Sequence, residues 1–230
     1  MAQKRPVWTP PRGHFNNCFW TDYSHKLGRP FRSYSNLERK HFLLIETDPD
    51  IIEFCEQPER IVQIVKGKPI SAIFDCWILF SDGRQEYREV KYVEDLCPSS
   101  KNYRRNYLKL KAEKQYCVSN GIDFQLFTEE NLLNREQLIY NLSMLVPYGN
   151  PQLSYKEIEI LIADQLVNKV KMKINDLYGQ ILEERWKIKN TIYHLLYKGD
   201  ISADLNYLPL GPNTEVCYAK AKDIFQNPIN

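Results

Sequence analysis

The chain has 230 residues, 43% of them hydrophobic and 26% charged, with a formal net charge of +2 at pH 7. That is enough apolar material for one large domain or two small ones. The near balance of charge excludes a strongly basic autonomous DNA binder, and any basic surface has to be local and offset by acids elsewhere. The cysteines, at 18, 55, 76, 97, 117 and 217, form no C-x-x-C pair, and no apolar run approaches the roughly 20 residues needed to span a bilayer. The expectation is a cytoplasmic protein with reduced thiols, neither secreted nor membrane-inserted.

Residues 1–33 carry Lys4, Arg5, Arg12, Lys26, Arg29 and Arg32 against the single acid Asp22, and show neither a helical nor a strand period. They read as an irregular arm crossing the surface, either touching phosphates or tacked to the core by Trp8, Phe15, Phe19 and Trp20. His14 and Cys18 have no second pair at ligand spacing, so zinc is not expected. Ser35-Asn36-Leu37-Glu38 is a helix start of the capping-box type, opening a helix to about Thr47. Strands are expected near 51–55, 60–66 and 71–80, with a turn at Gly67-Lys68 and a break at Gln57-Pro58.

The run Ser71–Phe80, the turn residues Ser81-Asp82-Gly83 and the alternating run Arg84–Tyr92 together read as a β-hairpin completing one sheet. Asp75 sits in its first strand among Ile73, Phe74, Cys76 and Trp77, where a carboxylate costs several kcal/mol unless a cation compensates it. A two-residue turn would pair Asp75 with Val90 and turn Glu89 and Lys91 to the other face. A three-residue loop with Gly83 in the left-handed position would pair Asp75 with Glu89 and set Lys91 next along the same face. In that register two carboxylates and an ammonium could hold Mg²⁺ beside a phosphate, or could form only a structural ion pair.

A helix follows over roughly Lys101–Ser119, stopped by Asn120-Gly121, with Tyr103, Tyr107, Leu110 and Cys117 expected to face the sheet. Lys101, Arg104, Arg105, Lys109 and Lys111 line the rest of it, as a solvated face or a phosphate-contacting one. Ile122–Phe127 reads as a further strand and Thr128-Glu129-Glu130 as the start of a short helix, which completes an α/β core. The stretch Met144–Pro151 is the expected boundary, dividing the chain into residues 1–148 and 149–230. The second part shows helical spacing over Tyr155 to about Lys173 (Ile158, Ile162, Leu166, Val170) and over Glu183–Lys198, then a strand at Glu215–Tyr218, which suggests a small winged-helix-like domain.

Taken in order, Ser35-x-x-Glu38, Gln57-Pro58, the apolar strand holding Asp75, Asp82-Gly83, Glu89-Val90-Lys91, Phe127-Thr128-Glu129 and His194–Leu205 resemble the TnsA family, the endonuclease subunit of heteromeric transposases. The resemblance implies a restriction-endonuclease-like catalytic domain that cuts DNA at the 5′ ends of a transposon. It implies that Glu38, Asp75, Glu89 and Lys91 form the active site, and that Asp75, Glu89, the Val90 carbonyl and Glu38 hold Mg²⁺, with Mn²⁺ as a substitute. Lys101, Arg104, Arg105 and Lys109 would then lie against DNA. The implied partners are transposon-end DNA, a TnsB-like recombinase of the DDE class and a TnsC-like ATPase regulator, in the bacterial cytoplasm and at the nucleoid when active. Where family members commonly carry Pro before the strand Asp, this chain has Phe74. The alternatives are a stand-alone restriction, repair or junction-resolving nuclease, and a non-catalytic DNA-binding adaptor.

Overall fold

The computed structural model describes residues 3–8, 19–167, 169 and 171–219. Expectations that rest on Arg12, His14, Phe15, Cys18 and Val170 lie outside the described residues. Two units are distinguished, one holding the chain to Ile45 and Asp50–Leu133, the other Glu46–Pro49 and everything from Asn134 on. The division falls at Leu133, ahead of the boundary expected at 148.

The first unit begins with a strand pair where an irregular arm was expected. Strands β1 (Trp20–Ser24) and β2 (Arg29–Ser33) run antiparallel from Trp20↔Ser33 to Ser24↔Arg29. Its charges hide the strand pattern because one of them has a distant partner. Arg29 donates two bonds of 2.8 Å to the buried Glu56 carboxylate, the bidentate geometry in which a guanidinium tolerates burial. Helix α1 (Asn36–Thr47) follows, then β3 (Ile51–Glu56).

Next come β4 (Arg60–Val65) and β5 (Lys68–Ile73), joined by a tight turn with positive φ at Lys66 and Gly67, 50° and 73°. That is the two-residue hairpin turn whose twist suits the flanking strands. The strand expected over 71–80 is two strands: β5 stops at Ile73 and β6 (Cys76–Phe80) starts after a break at Phe74-Asp75. Consequently β4 and β5 form a separate ribbon, while β6 joins a four-stranded sheet in the order β3-β6-β7-β8 with β7 (Gln85–Val90) and β8 (Asp123–Phe127). Strand β8 is parallel to β7 and is reached through helix α2 (Tyr103–Asn120), which Gly121 ends at φ 63°, the left-handed stop of a helix C-terminus.

Both faces of this sheet are covered, which is why β6 is a continuous apolar run without alternation. Phe42 of α1 stacks on Phe31 of β2 at 4.6 Å, and Phe31 meets Phe54 of β3 edge-on at 5.5 Å. On the opposite side Phe74, Trp77 and Tyr87 pack with Ile61 and Ala72 of the ribbon and Cys117 of α2.

The second unit contains α3 (Glu136–Leu145), α4 (Lys156–Val167), β9 (Met172–Lys173), α5 (Ile174–Gln180), α6 (Arg185–Lys198), β10 (Ile201–Ala203) and β11 (Glu215–Tyr218). The helix expected to reach Lys173 stops at Val167, because Met172 and Lys173 pair with β11 in a sheet of order β10-β11-β9. Helix α3 belongs here: buried Asn141 donates to the Leu205 and Leu208 carbonyls, both at 2.8 Å, and accepts from the Leu210 N–H. The expected linker at Met144–Pro151 is instead packed, with Leu145, Val146 and Gly149 buried.

Candidate functional site

The register of the β6–β7 hairpin brings the acids together. Cys76 pairs with Arg88 and Leu79 with Gln85, so Asp75 stands opposite Glu89 across a three-residue loop. Gly83 takes φ 86° and donates its N–H to the Phe80 carbonyl, the left-handed position that lets an odd loop close a hairpin. Of the two registers open from sequence, the structure adopts the one that converges the charges.

Asp75 is held from both sides. Phe74 before it is fully buried and stacks on Tyr87 at 4.1 Å, while the Asp75 carbonyl accepts the Gln57 N–H at 3.0 Å. An apolar anchor followed by a backbone tie bends the chain here without proline and turns the carboxylate toward β7. Its Oδ2 accepts the Val90 N–H at 2.9 Å and Lys91 Nζ at 3.1 Å. Lys91 Nζ also donates to the Val90 carbonyl at 3.0 Å and lies 2.6 Å from Glu89 Oε1.

Lys109, expected on a DNA-facing surface, reaches into this cluster. Its Nζ bonds Glu89 Oε1 and lies 3.6 Å from Asp75 Oδ1 and 3.4 Å from Glu113 Oε1. The buried residues of α2 are Asn106, Ala112, Glu113 and Cys117, and the polar positions 106, 109 and 113 share one helical face. Tyr107, expected to pack on the sheet, is exposed. Lys101, Arg104 and Arg105 remain exposed as expected. Glu113 was missed as a site residue; the signal was the Lys109-x-x-x-Glu113 spacing, since i and i+4 meet on a helix.

Charges in the cluster hold one another in definite states. Burial pushes the Asp75 carboxyl up, but Lys109, Lys91 and the Val90 N–H overcome it and hold it well below the usual carboxylate range. Burial and the Asp75 charge push Glu89 up against the pull of the two lysines. Burial and Glu89 together drive Glu113 up to about 9, which makes it neutral at pH 7. Burial would lower Lys91, yet Asp75 and Glu89 raise it far above the usual ammonium value. Asp75 and Glu89 thus face two ammonium groups, Lys91 and Lys109, which favour the charged form of both acids against their burial.

Glu38 does cap α1, with a variation. Its N–H donates to Ser35 Oγ at 3.1 Å, and its Oε2 accepts from the Tyr34 N–H at 2.9 Å, one residue further back than the usual reciprocal bond. Burial and then the Asp75 charge raise its carboxyl to about 7, so the cap and the acid cluster feel each other electrostatically.

Among the described residues no three His, Cys, Asp or Glu side chains form a cage for a metal ion. The donors that do converge are all oxygens: Asp75, Glu89 and the Val90 carbonyl. Glu89 Oε2 is buried with no hydrogen-bond partner, an acceptor left facing nothing. An oxygen-only set with two carboxylates suits Mg²⁺, which keeps several waters and takes few protein ligands. The lysines stand where its charge would act. The fit is to an open carboxylate site and not to a closed structural one.

A cleft of 660 Å³ opens beside the cluster, lined by Asp75, Lys91 and Lys109 together with Arg60, Arg105 and Trp8. Residues 48–129 match the model of a family described as TnsA-like endonuclease N terminal. The matched stretch includes Asp75, Glu89, Lys91, Lys109 and Glu113, and ends short of Glu38 on its N-terminal side. No curated protein matches the chain.

Proposed function

We propose, from the match of residues 48–129 to the TnsA-like endonuclease N-terminal model, that the chain is a metal-dependent DNA endonuclease that cuts the 5′ ends of a transposon. It acts with a TnsB-like DDE recombinase and a TnsC-like ATPase in the bacterial cytoplasm. The observation that carries this reading is the convergence of Asp75 and Glu89 on facing positions of one hairpin with Lys91 between them. Support for a restriction-endonuclease-like fold comes from a mixed four-stranded sheet covered on both faces and closed by the β7-α2-β8 crossover.

Cutting a phosphodiester needs an in-line water, relief of charge on the phosphoryl oxygens and stabilisation of the leaving 3′ oxygen. Asp75, Glu89 and the Val90 carbonyl would hold Mg²⁺, or Mn²⁺ in its place, and Glu38 would serve a second position. Bound there, the cation would supply positive charge to the phosphoryl and leaving oxygens. Lys91 is an ammonium in this setting, so its part is to donate a hydrogen bond to the phosphate or to orient the water. Lys109 positions Glu89 and favours its charged form against burial. Arg105, with Arg104 beside it on the exposed face of α2 and Lys101 just before the helix, is available to flanking phosphates.

From α4 on, the second unit runs helix, strand, helix, helix, strand, strand, with sheet order β10-β11-β9, which supports a winged-helix-like reading. Thr191–Tyr197 of α6 are buried throughout, so this helix is a core element and not a groove reader. That favours a docking role on partner subunits over direct DNA readout. The test is Mg²⁺-dependent nicking of transposon-end DNA with the recombinase and ATPase present. Asp75→Ala should abolish it with the thermal melt intact, whereas wild-type nicking by Asp75→Ala would remove the proposed site.

A further inference from the structure

The cations of the cleft are of two kinds. Lys91 and Lys109 are ion-paired to the acids at its floor. Arg60 and Arg105 are exposed and have no carboxylate partner among the described residues; Arg60 Nη1 donates only to Ser71 Oγ, at 3.4 Å. Unpaired guanidiniums lining a cleft that leads to a candidate phosphate site are available to further phosphates.

Trp8, which lines the same cleft, heads a row of aromatic rings. Trp8 is 38% exposed, and its ring lies 6.0 Å from Tyr34, which in turn lies 5.7 Å from Phe19, 44% exposed. The backbone N–H of Tyr34 is the group that holds Glu38, so this row runs from the cleft to the edge of the acid cluster. Trp8 is not loosely attached. The Val7 N–H donates to the Gln57 carbonyl at 2.9 Å, the Lys4 N–H to Glu53 at 3.1 Å, and Lys4 Nζ sits 4.3 Å over the Trp77 ring. The segment before Trp8 is thus fastened to β3, to Gln57 just beyond it and to Trp77 of β6, and presents the indole with over a third of its surface in solvent.

Resting on the nuclease reading, we propose that Trp8, with Tyr34 and Phe19 behind it, is a stacking platform for an unpaired nucleobase beside the scissile phosphate. Arg60 and Arg105 hold the phosphates that flank it. Paired bases already have both faces stacked and offer nothing to an aromatic ring, whereas an unpaired base gains a partner. Aromatic rings alongside a cationic track are the chemistry by which proteins hold single strands, and they tolerate any base. The substrate class is therefore DNA that is frayed or unpaired next to the cut.

The experiment compares binding of two oligonucleotides to the full-length chain in EDTA, where binding is read without cutting. One is a duplex transposon end; the other has the same sequence with a short unpaired stretch at the cut. Wild type should prefer the unpaired substrate by roughly tenfold, the order expected for one stacked base. Trp8→Ala should lose the preference and Trp8→Phe retain most of it. Arg60→Ala and Arg105→Ala should weaken both substrates alike and flatten the salt dependence. Equal affinity of wild type for the two substrates, or a preference that survives Trp8→Ala, overturns the platform. So does a Trp8→Ala protein whose DNA binding is unchanged and whose response to the recombinase alone is lost, which would make the row a protein-docking patch. Because the binding assay needs no cleavage, a missing preference alongside Asp75-dependent nicking refutes the platform only. Absence of nicking with the preference intact refutes the nuclease reading only.

Discussion

Replacing Lys109 by Met keeps the apolar stem of the side chain and removes the charge that lies against Glu89, Asp75 and Glu113. Glu89 and Glu113 are fully buried, and Lys109 itself retains 22% of its side-chain exposure. Removing one partner from a buried ion pair costs about 3–5 kcal/mol. Here two things reduce that figure: Lys91 still pairs with Asp75 and Glu89, and Glu113, at about 9, is already neutral at pH 7. The expected loss is about 2–3 kcal/mol, or about 5–10 °C in melting temperature for a chain of this size. The sign with pH follows from Glu89, whose folded value is raised and is raised further without Lys109. The native state then binds a proton that the unfolded state releases, so stability falls as pH rises through that window. The deficit of Lys109→Met should be largest at alkaline pH and shrink on acidification. Thermal melts in EDTA and in Mg²⁺ check it. With one positive charge fewer to displace, the variant should gain more from Mg²⁺ than wild type does. A melt within a degree or two of wild type in EDTA would refute the charge-balancing role, and no Mg²⁺ shift in either protein would refute the cation site itself.

Glu38→Gln should preserve the acceptor for the Tyr34 N–H while Glu38→Ala loses about 1 kcal/mol of helix capping, and both should lose nicking. Calorimetry should show Mg²⁺ affinity of wild type rising as pH passes through about 7, where Glu38 ionises, with that part of the slope absent in Glu38→Gln. Gly83→Ala should cost about 1 kcal/mol in chemical denaturation, all of it from backbone strain at φ 86°, because nothing lies within 4 Å of the added methyl. Ending the chain after Leu133 should give a better-behaved fragment in proteolysis and in its amide NMR spectrum than ending it after Tyr148. The longer fragment would keep α3 with Leu138, Leu142, Leu145 and Asn141 stripped of the partners that bury them.

What the sequence disclosed and what it withheld follow from the kind of signal involved. Strand alternation is discrete, so the three-residue loop at Ser81–Gly83 was enough to put Asp75, Glu89 and Lys91 together. The break between β5 and β6 left no such mark. Ala72, Phe74, Cys76, Trp77 and Ile78 are all buried, and the bend is made by contacts with Tyr87 and Gln57, remote in sequence. The orientation of α2 was misread because apolar spacing stands for burial only when the buried face is apolar. Asn106 and Glu113 are buried because they face other polar groups. Strand β2 was hidden for the same reason, its Arg29 answered by Glu56 from another strand.

Charge pairing also bears on how the protein reaches DNA. Net charge counts Lys91, Lys109 and Arg29 as basic surface, yet all three are ion-paired inside the first unit. The acids they face are counted too, so these pairs leave the formal +2 unchanged; with so small a net charge, counterion release on binding a bare duplex should be small and its affinity weak at physiological salt. Were Mg²⁺ to bind at Asp75 and Glu89, it would compete with Lys91 and Lys109 for their oxygens, and ammonium groups released in this way would be available to a phosphate. The cationic surface for DNA would then be largest with metal and substrate both bound. An isolated chain gains little from either alone, which is why the proposed dependence on a recombinase already seated at the transposon end is the economical one: tethering raises the local concentration of DNA at a site whose own attraction is weak.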